Sequence, residues 1–186
     1  MFDFLVIGKG LFGAATVKYL SSEAERVAVI GPDEPADLLS HDGVFASHYD
    51  QGRLAGRLGR GPLWTALADQ SIRAYRLIEA ESGIHFYTPA GRLHVPAASV
   101  DADYATEMAA AYNLDVRHLN AGDLQAAFPS LRFPGVGDGF FEDAPAGYIN
   151  PRALIKAQLA IAKKQGAAVI REIVTAVEPD GEHLRV

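Results

Sequence analysis

The sequence predicts an α/β fold that opens with a parallel βαβ unit. Three observations carry that prediction: an apolar run from Phe2 to Ile7, a helical segment from Leu11 to Leu20 set off from it by glycines, and a second β-branched run from Arg26 to Ile30. Two apolar strands joined by a helix are most simply a right-handed parallel unit, because a right-twisted strand feeding a helix returns to the sheet that way.

Length and composition narrow the possibilities. At 186 residues and 49% hydrophobic, the chain is able to bury a real core and has room for one domain or a domain with a sizeable insertion. A formal net charge of -6 disfavours a general nucleic-acid or anionic-membrane surface, since such binding relies on Lys and Arg neutralising phosphates. With no cysteine there is no disulfide framework, thiolate nucleophile, Cys-ligated zinc or cysteinyl cofactor link. No apolar run reaches membrane-spanning length, and the Met1-Phe2-Asp3-Phe4 start lacks the basic region of a signal peptide. The expectation is a soluble, cytoplasmic protein.

After Ile30 the pattern changes several times. Residues 31–61 are rich in Gly, Pro, Asp and Ser with no sustained period, and read as a long functional loop. A helix is predicted from Pro62, with Leu63, Leu67, Ile72, Tyr75 and Ile78 as its apolar face up to Gly83. Residues 85–95 read as two short strands around Pro89-Ala90-Gly91, followed by a helix over 102–112 and a strand over 116–119. Asn120 with Asp123 resembles a capping box for a brief helix ending at Pro129, and 133–139 reads as a loop. Asn150 as N-cap, Pro151 at the first helical position and Gly166 past the end delimit a helix over 151–165. Residues 168–173 and 174–178 read as strands, and Pro179-Asp180-Gly181 turns the chain into a last strand at 183–186.

The chemistry lies in Gly8-Lys9-Gly10-Leu11-Phe12-Gly13, which matches GxGxxG. That pattern is weak alone, but here it follows an apolar strand and opens a helix, the context of a dinucleotide fingerprint. Gly8 permits the tight turn, Gly10 lets backbone approach a pyrophosphate, and Gly13 lets helix pack on strand. The free amides and positive end of the helix then face the phosphate charge. One expected part is missing: the second strand should end in an acid that binds the adenosine ribose, and Gly31 stands there instead. Asp33 and Glu34 are the candidates to reach the ribose from the following turn. No Lys or Arg follows closely, which ranks a 2′-phosphate low.

A second candidate is the segment from Ser47 and His48 through Tyr49 to Arg60, where Arg53, Arg57 and Arg60 fall close together. Arginine forks pair bidentately with carboxylates, so such a loop beside a cofactor would grip a substrate carboxylate or a carbonyl edge. A solvated basic loop is the equal alternative. The remaining histidines, His41, His85, His94, His118 and His183, lack ligand spacing, and no metal site is expected. Trp64, Phe140 and Phe141 read as core, and Asp101, Asp103 and Glu107 as a solvated helix face.

The glycine turn, the segment from Ser47 to Arg57, Ala90-Gly91-Arg92-Leu93-His94-Val95 and the stretch from Ala146 to Leu154 occur in an order that resembles the flavoenzymes of the D-amino-acid oxidase group, especially its sarcosine oxidase and glycine oxidase branch. The resemblance spans nearly the whole chain. It implies a Rossmann-like FAD-binding domain, discontinuous over 1–84 and 145–186, with 85–144 as part of an inserted α+β substrate domain. It implies FAD as cofactor, held by Gly8, Gly10, Leu11, Phe12 and Gly13, with Asp33 at the ribose and Ser47, His48 and Arg53 near the flavin; Arg53, Tyr49 and His48 would serve catalysis. The implied reaction oxidises a small amine or amino acid, passing hydride to flavin N5 to give an imine. The electron acceptor is left open between oxygen and another molecule. In the sarcosine oxidase branch a histidine follows the Ser-His pair and another arginine binds the substrate carboxylate; here those positions hold Tyr49 and Gly56, with Arg57 displaced by one, so sarcosine itself is disfavoured. Members of the group are about twice as long, so the chain is expected to be truncated. The alternatives are a related FAD-dependent 2-hydroxy-acid or polyol-phosphate dehydrogenase, and a non-catalytic nucleotide-binding remnant.

Overall fold

The computed structural model describes residues 1–43, 46–58, 61–96 and 99–186, with the side chains of 99–101 outside that description. In chain order the elements are β1 (Phe4–Ile7), α1 (Leu11–Glu23), β2 (Val27–Ile30), β3 (Arg53–Ala55), α2 (Pro62–Ser82), β4 (Tyr87–Thr88), β5 (Arg92–His94) and α3 (Ser99–Ala111). They continue with β6 (Val116–Asn120), α4 (Ala121–Ala127), β7 (Asp138–Glu142), β8 (Gly147–Ile149), α5 (Pro151–Lys164), β9 (Ala168–Ile170), β10 (Glu178–Asp180) and β11 (His183–Arg185). The chain divides into two compact units, one of residues 1–51, 78–86 and 150–186, the other of 52–77 and 87–149.

The first unit is α/β, built on a parallel sheet of order β1-β2-β9. Phe4 pairs with Val27 and Ile7 with Ile30, and Ile30 in turn pairs with Ile170. Val17 of α1, Val27 and Val29 of β2, and Ala162 and Ala167 from α5 and its end form the core. These β-branched and small residues suit a layer where helices pack closely on a sheet. Helix α5 is fixed at both ends by its sequence. The Asn150 side chain accepts from the Ala153 N–H at 3.1 Å. At the other end Gly166 turns left-handed (φ 97°), and the N–H groups of Ala167 and Gly166 donate to Ala162 and Lys163. That is a Schellman closure, which satisfies carbonyls the helix would otherwise leave unpaired.

The second unit is α+β, with two antiparallel sheets of order β3-β8-β4 and β5-β7-β6. Leu58, Ala105, Met108 and Phe140 form its core. Helix α4 begins as the sequence predicts, with Asn120 accepting from the N–H groups of Gly122 and Asp123.

Several expectations change. β4 and β5 flank the predicted turn but do not pair with each other: β4 joins β8 and β5 joins β7. Thr88 to Gly91 is thus a crossing between sheets, and Gly147 is a glycine because a Cβ there would stand 2.0 Å from the Thr88 carbonyl. β3, β7 and β8 were not evident as strands; β3 lies inside the stretch read as a loop. Residues 171–177 hold no strand where two were expected, and Ile173 there is 72% exposed. Phe140 is core, but Trp64 is 65% exposed. Asp103 and Glu107 face solvent as expected, while the side chain of Asp101 lies outside the described residues. Among the described residues no helix is long and apolar enough to cross a membrane.

Candidate functional site

The glycine turn sits at the carboxyl end of β1, tied to β2 by the Gly8 N–H donating to the Ile30 carbonyl at 2.7 Å. Each glycine has a separate physical reason. Gly8 is left-handed (φ 100°), a conformation side chains with a Cβ rarely adopt. A Cβ on Gly13 would lie 1.8 Å from the Gly8 carbonyl oxygen, so α1 packs on the turn only without one. Gly10 differs: a Cβ there would meet nothing nearer than His48 Nδ1 at 3.8 Å. That is ordinary van der Waals contact, so the glycine here leaves backbone accessible rather than relieving a clash.

Helix α1 begins uncapped. Gly10 makes no side-chain cap and no acid stands in the first turn. The Ala14 N–H donating to the Gly10 carbonyl closes the first helical bond, which leaves the N–H groups of Leu11, Phe12 and Gly13 without helical partners. Unsatisfied amides and the positive end of the helix dipole favour an anion here. Phe12 is 90% exposed, so its side chain does not anchor the helix start in a core.

At the tip of β2, where the acid is missing, the space for a side chain is tight. A Cβ on Gly31 would stand 3.0 Å from the Lys9 N and 3.3 Å from Lys9 Cγ. The Lys9 side chain, buried to 7% exposure, runs over this glycine and reaches Asp33, with Nζ 2.5 Å from Oδ1. Arg171, just past β9, puts Nε 3.1 Å from the other oxygen, Oδ2. The Lys9 ammonium donating to Asp33 holds its carboxyl below the usual carboxylate range, and the Arg171 charge acts in the same direction. Glu34 pairs with Arg152. No Lys or Arg follows Gly31 closely in the sequence, but Lys9 and Arg171, distant along the chain, bring two cations to this tip.

Ser47 is exposed, while His48 and Tyr49 are half-buried with their rings edge-to-face, centroids 4.9 Å apart. His48 is the residue the fold brings beside Gly10. Arg53, in the other unit, begins β3 opposite Ile149. Arg57 is committed internally: its backbone N–H and Nε donate to Glu142, the latter at 3.0 Å, and Glu142 is only 1% exposed. Its guanidinium also approaches Asp69 at 4.0 Å. That knot makes Arg57 a framework residue rather than a substrate grip. Arg60 lies outside the described residues.

Comparison with known proteins agrees with this geometry. The model of the FAD dependent oxidoreductase (DAO) family matches residues 3–186. Monomeric sarcosine oxidase of Streptomyces avermitilis is 26% identical over 100% of this chain and 47% of its own length. The uncharacterized oxidoreductase YurR of Bacillus subtilis is 26% identical over 92% of this chain and 46% of its own. Among solved structures, glycine oxidase from Geobacillus kaustophilus superposes with a TM-score of 0.75 at 19% identity, over 98% of this chain and 50% of that one. L-proline dehydrogenase from P. horikoshii does so with a TM-score of 0.75 at 15% identity, over 98% and 47%. The chain spans about half the length of the curated relatives it matches. The match across nearly all of its residues places the chain in the FAD dependent oxidoreductase family.

Proposed function

We propose that this chain forms the cofactor-binding portion of an enzyme that oxidises an amino acid or an N-substituted amino acid with FAD. The observation that carries the reading is the uncapped start of α1 at Gly10, which leaves the N–H groups of Leu11, Phe12 and Gly13 without helical partners beside a residue that has no side chain. These amides would hold the pyrophosphate, Gly8 and Gly13 would keep the turn close to β1, and Asp33 would accept from the adenosine ribose. Ser47 and His48 are assigned to the flavin side of the cofactor, since the fold already brings His48 beside Gly10. Arg53 is assigned a fixed positive charge that stabilises the anionic reduced state, and Tyr49 a polar contact to substrate. When bound, FAD supplies the acceptor for the hydride that leaves the carbon beside the substrate nitrogen.

The amine reading draws support from relatives named as sarcosine oxidase and N-methyl-L-tryptophan oxidase. The test is equilibrium binding of FAD to the purified chain, followed by anaerobic exposure of the loaded protein to N-methyl amino acids, amino acids and 2-hydroxy acids. Retained flavin absorbance that bleaches with the amines is expected. Bleaching by hydroxy acids alone, or failure to hold FAD, would overturn the reading.

A further inference from the structure

The tip of β2 carries an arrangement that goes beyond a glycine-rich turn. Three parallel strands end side by side, and each sends one charged residue to the same place: Lys9 follows β1, Asp33 follows β2 and Arg171 follows β9. Ligands of open parallel sheets bind beyond the carboxyl ends of the strands, and the acid there reads a ribose hydroxyl. In this chain Gly31 stands at the strand tip, and a Cβ there would press on Lys9, whose N and Cγ would lie 3.0 and 3.3 Å from it. Resting on the proposed FAD site, in which Asp33 accepts from the ribose, we infer that Lys9 is the positioning residue of that acceptor, the pair standing in for the acid absent at Gly31.

Five features support this. Lys9 is a buried lysine in the middle of the turn, where burying a charge is costly unless a partner holds it, and Asp33 at 2.5 Å is that partner. Asp33 itself remains 54% exposed, so its carboxylate stays open to a ligand. A carboxylate offers about four acceptor positions, and the two ion pairs leave room for a hydroxyl donor. Two flanking cations also keep Asp33 ionised, the Lys9 hydrogen bond above all holding its carboxyl below the usual range, so it is an acceptor only and favours a hydroxyl that donates. Arg171 steadies the second oxygen from the neighbouring strand, which leaves Lys9 to set the position of the first.

The experiment compares ADP with 2′-deoxy-ADP as competitors of FAD on the full chain. The wild type is expected to prefer ADP by about tenfold, the effect of a hydrogen bond to a charged group. Asp33→Asn should reduce that preference towards unity. Lys9→Met, which keeps the apolar stem, should also reduce the preference towards unity; a merely structural loss would weaken both ligands by the same factor and leave the preference intact. Because Asp33 is exposed, its variant keeps the inference testable even if Lys9→Met fails to fold. FAD binding with no preference between the competitors, or with an unchanged preference in Asp33→Asn, would overturn the inference and leave the cofactor reading standing. Binding of neither FAD nor ADP would remove both.

Discussion

A Cβ on Gly13 would stand 1.8 Å from the carbonyl oxygen of Gly8. The atom it would strike is backbone in a turn held by β1 and β2, so the helix, not a flexible side chain, would have to move. Gly13→Ala is therefore expected to destabilise the first unit by at least about 1–3 kcal/mol, the usual cost of overpacking a fixed site. Urea unfolding monitored by circular dichroism checks this, and an unchanged midpoint would count against the close packing.

Glu142 is the second point of stress. It is buried, and it accepts from Arg57 Nε and from the backbone N–H groups of Arg57 and Leu58. Glu142→Leu would leave the Arg57 charge and two backbone donors without their acceptor, an expected loss of about 3–5 kcal/mol. Chemical denaturation of the variant should show it, whereas a loss below about 1 kcal/mol would indicate that water or Asp69 replaces the carboxylate.

The ends of α5 yield smaller effects. Asn150→Ala removes the side-chain oxygen that caps the Ala153 N–H and should cost about 0.5–2 kcal/mol. Gly166→Ala adds a Cβ that meets nothing within 4 Å but forces a side chain into a left-handed conformation, at about 1–2 kcal/mol. The two sites lie at opposite ends of the helix, so the double variant should show nearly additive shifts in thermal unfolding.

The Asp33 ion pair predicts a pH dependence with a definite sign. Its carboxyl is held below the ordinary range in the folded state, so the unfolded chain binds more protons in acid and stability rises with pH there. The contribution is complete above the unfolded carboxylate value and is lost as pH falls through the folded one. Lys9→Met should flatten this acid limb, while the wild-type slope in unfolding scans persists. Equal slopes in the two proteins would argue that solvent screens the pair fully.

The parallel βαβ unit and helix α5 were legible because local chemistry and long-range packing agree in them. Gly8, Gly10 and Gly13 are demanded by the same turn that the flanking apolar runs announce, and Asn150, Pro151 and Gly166 punctuate α5 whatever surrounds it. The short strands β3 and β8 were not legible, because three residues with glycines at or beside them carry no period and acquire strand geometry only from pairing, β3 with β8 and β8 with β4 as well. Leu54 pairs with Tyr148, a contact no local pattern encodes. β7 begins and ends in acids, and its strand character comes from pairing with both β5 and β6. The candidate site divides the same way. The phosphate cradle is local and readable, but the cluster of Lys9, Asp33 and Arg171 joins residues from three strand ends. Arg57 lay in a segment that read equally as a ligand grip or a solvated loop, and the fold commits it to Glu142 instead.

The most direct test is FAD titration of the wild type beside Gly10→Val, with thermal unfolding recorded for both. Position 10 has ordinary backbone angles (φ -76°) and a Cβ there would meet only His48 Nδ1 at 3.8 Å, so the backbone accepts a side chain, and the unfolding curves establish that the variant is folded when its binding is measured. Wild-type protein that quenches flavin fluorescence on binding, with affinity at least about tenfold weaker in the variant, is the expected result. Equal FAD affinity in the two proteins would contradict the claim that the notch at Gly10 receives the cofactor's pyrophosphate.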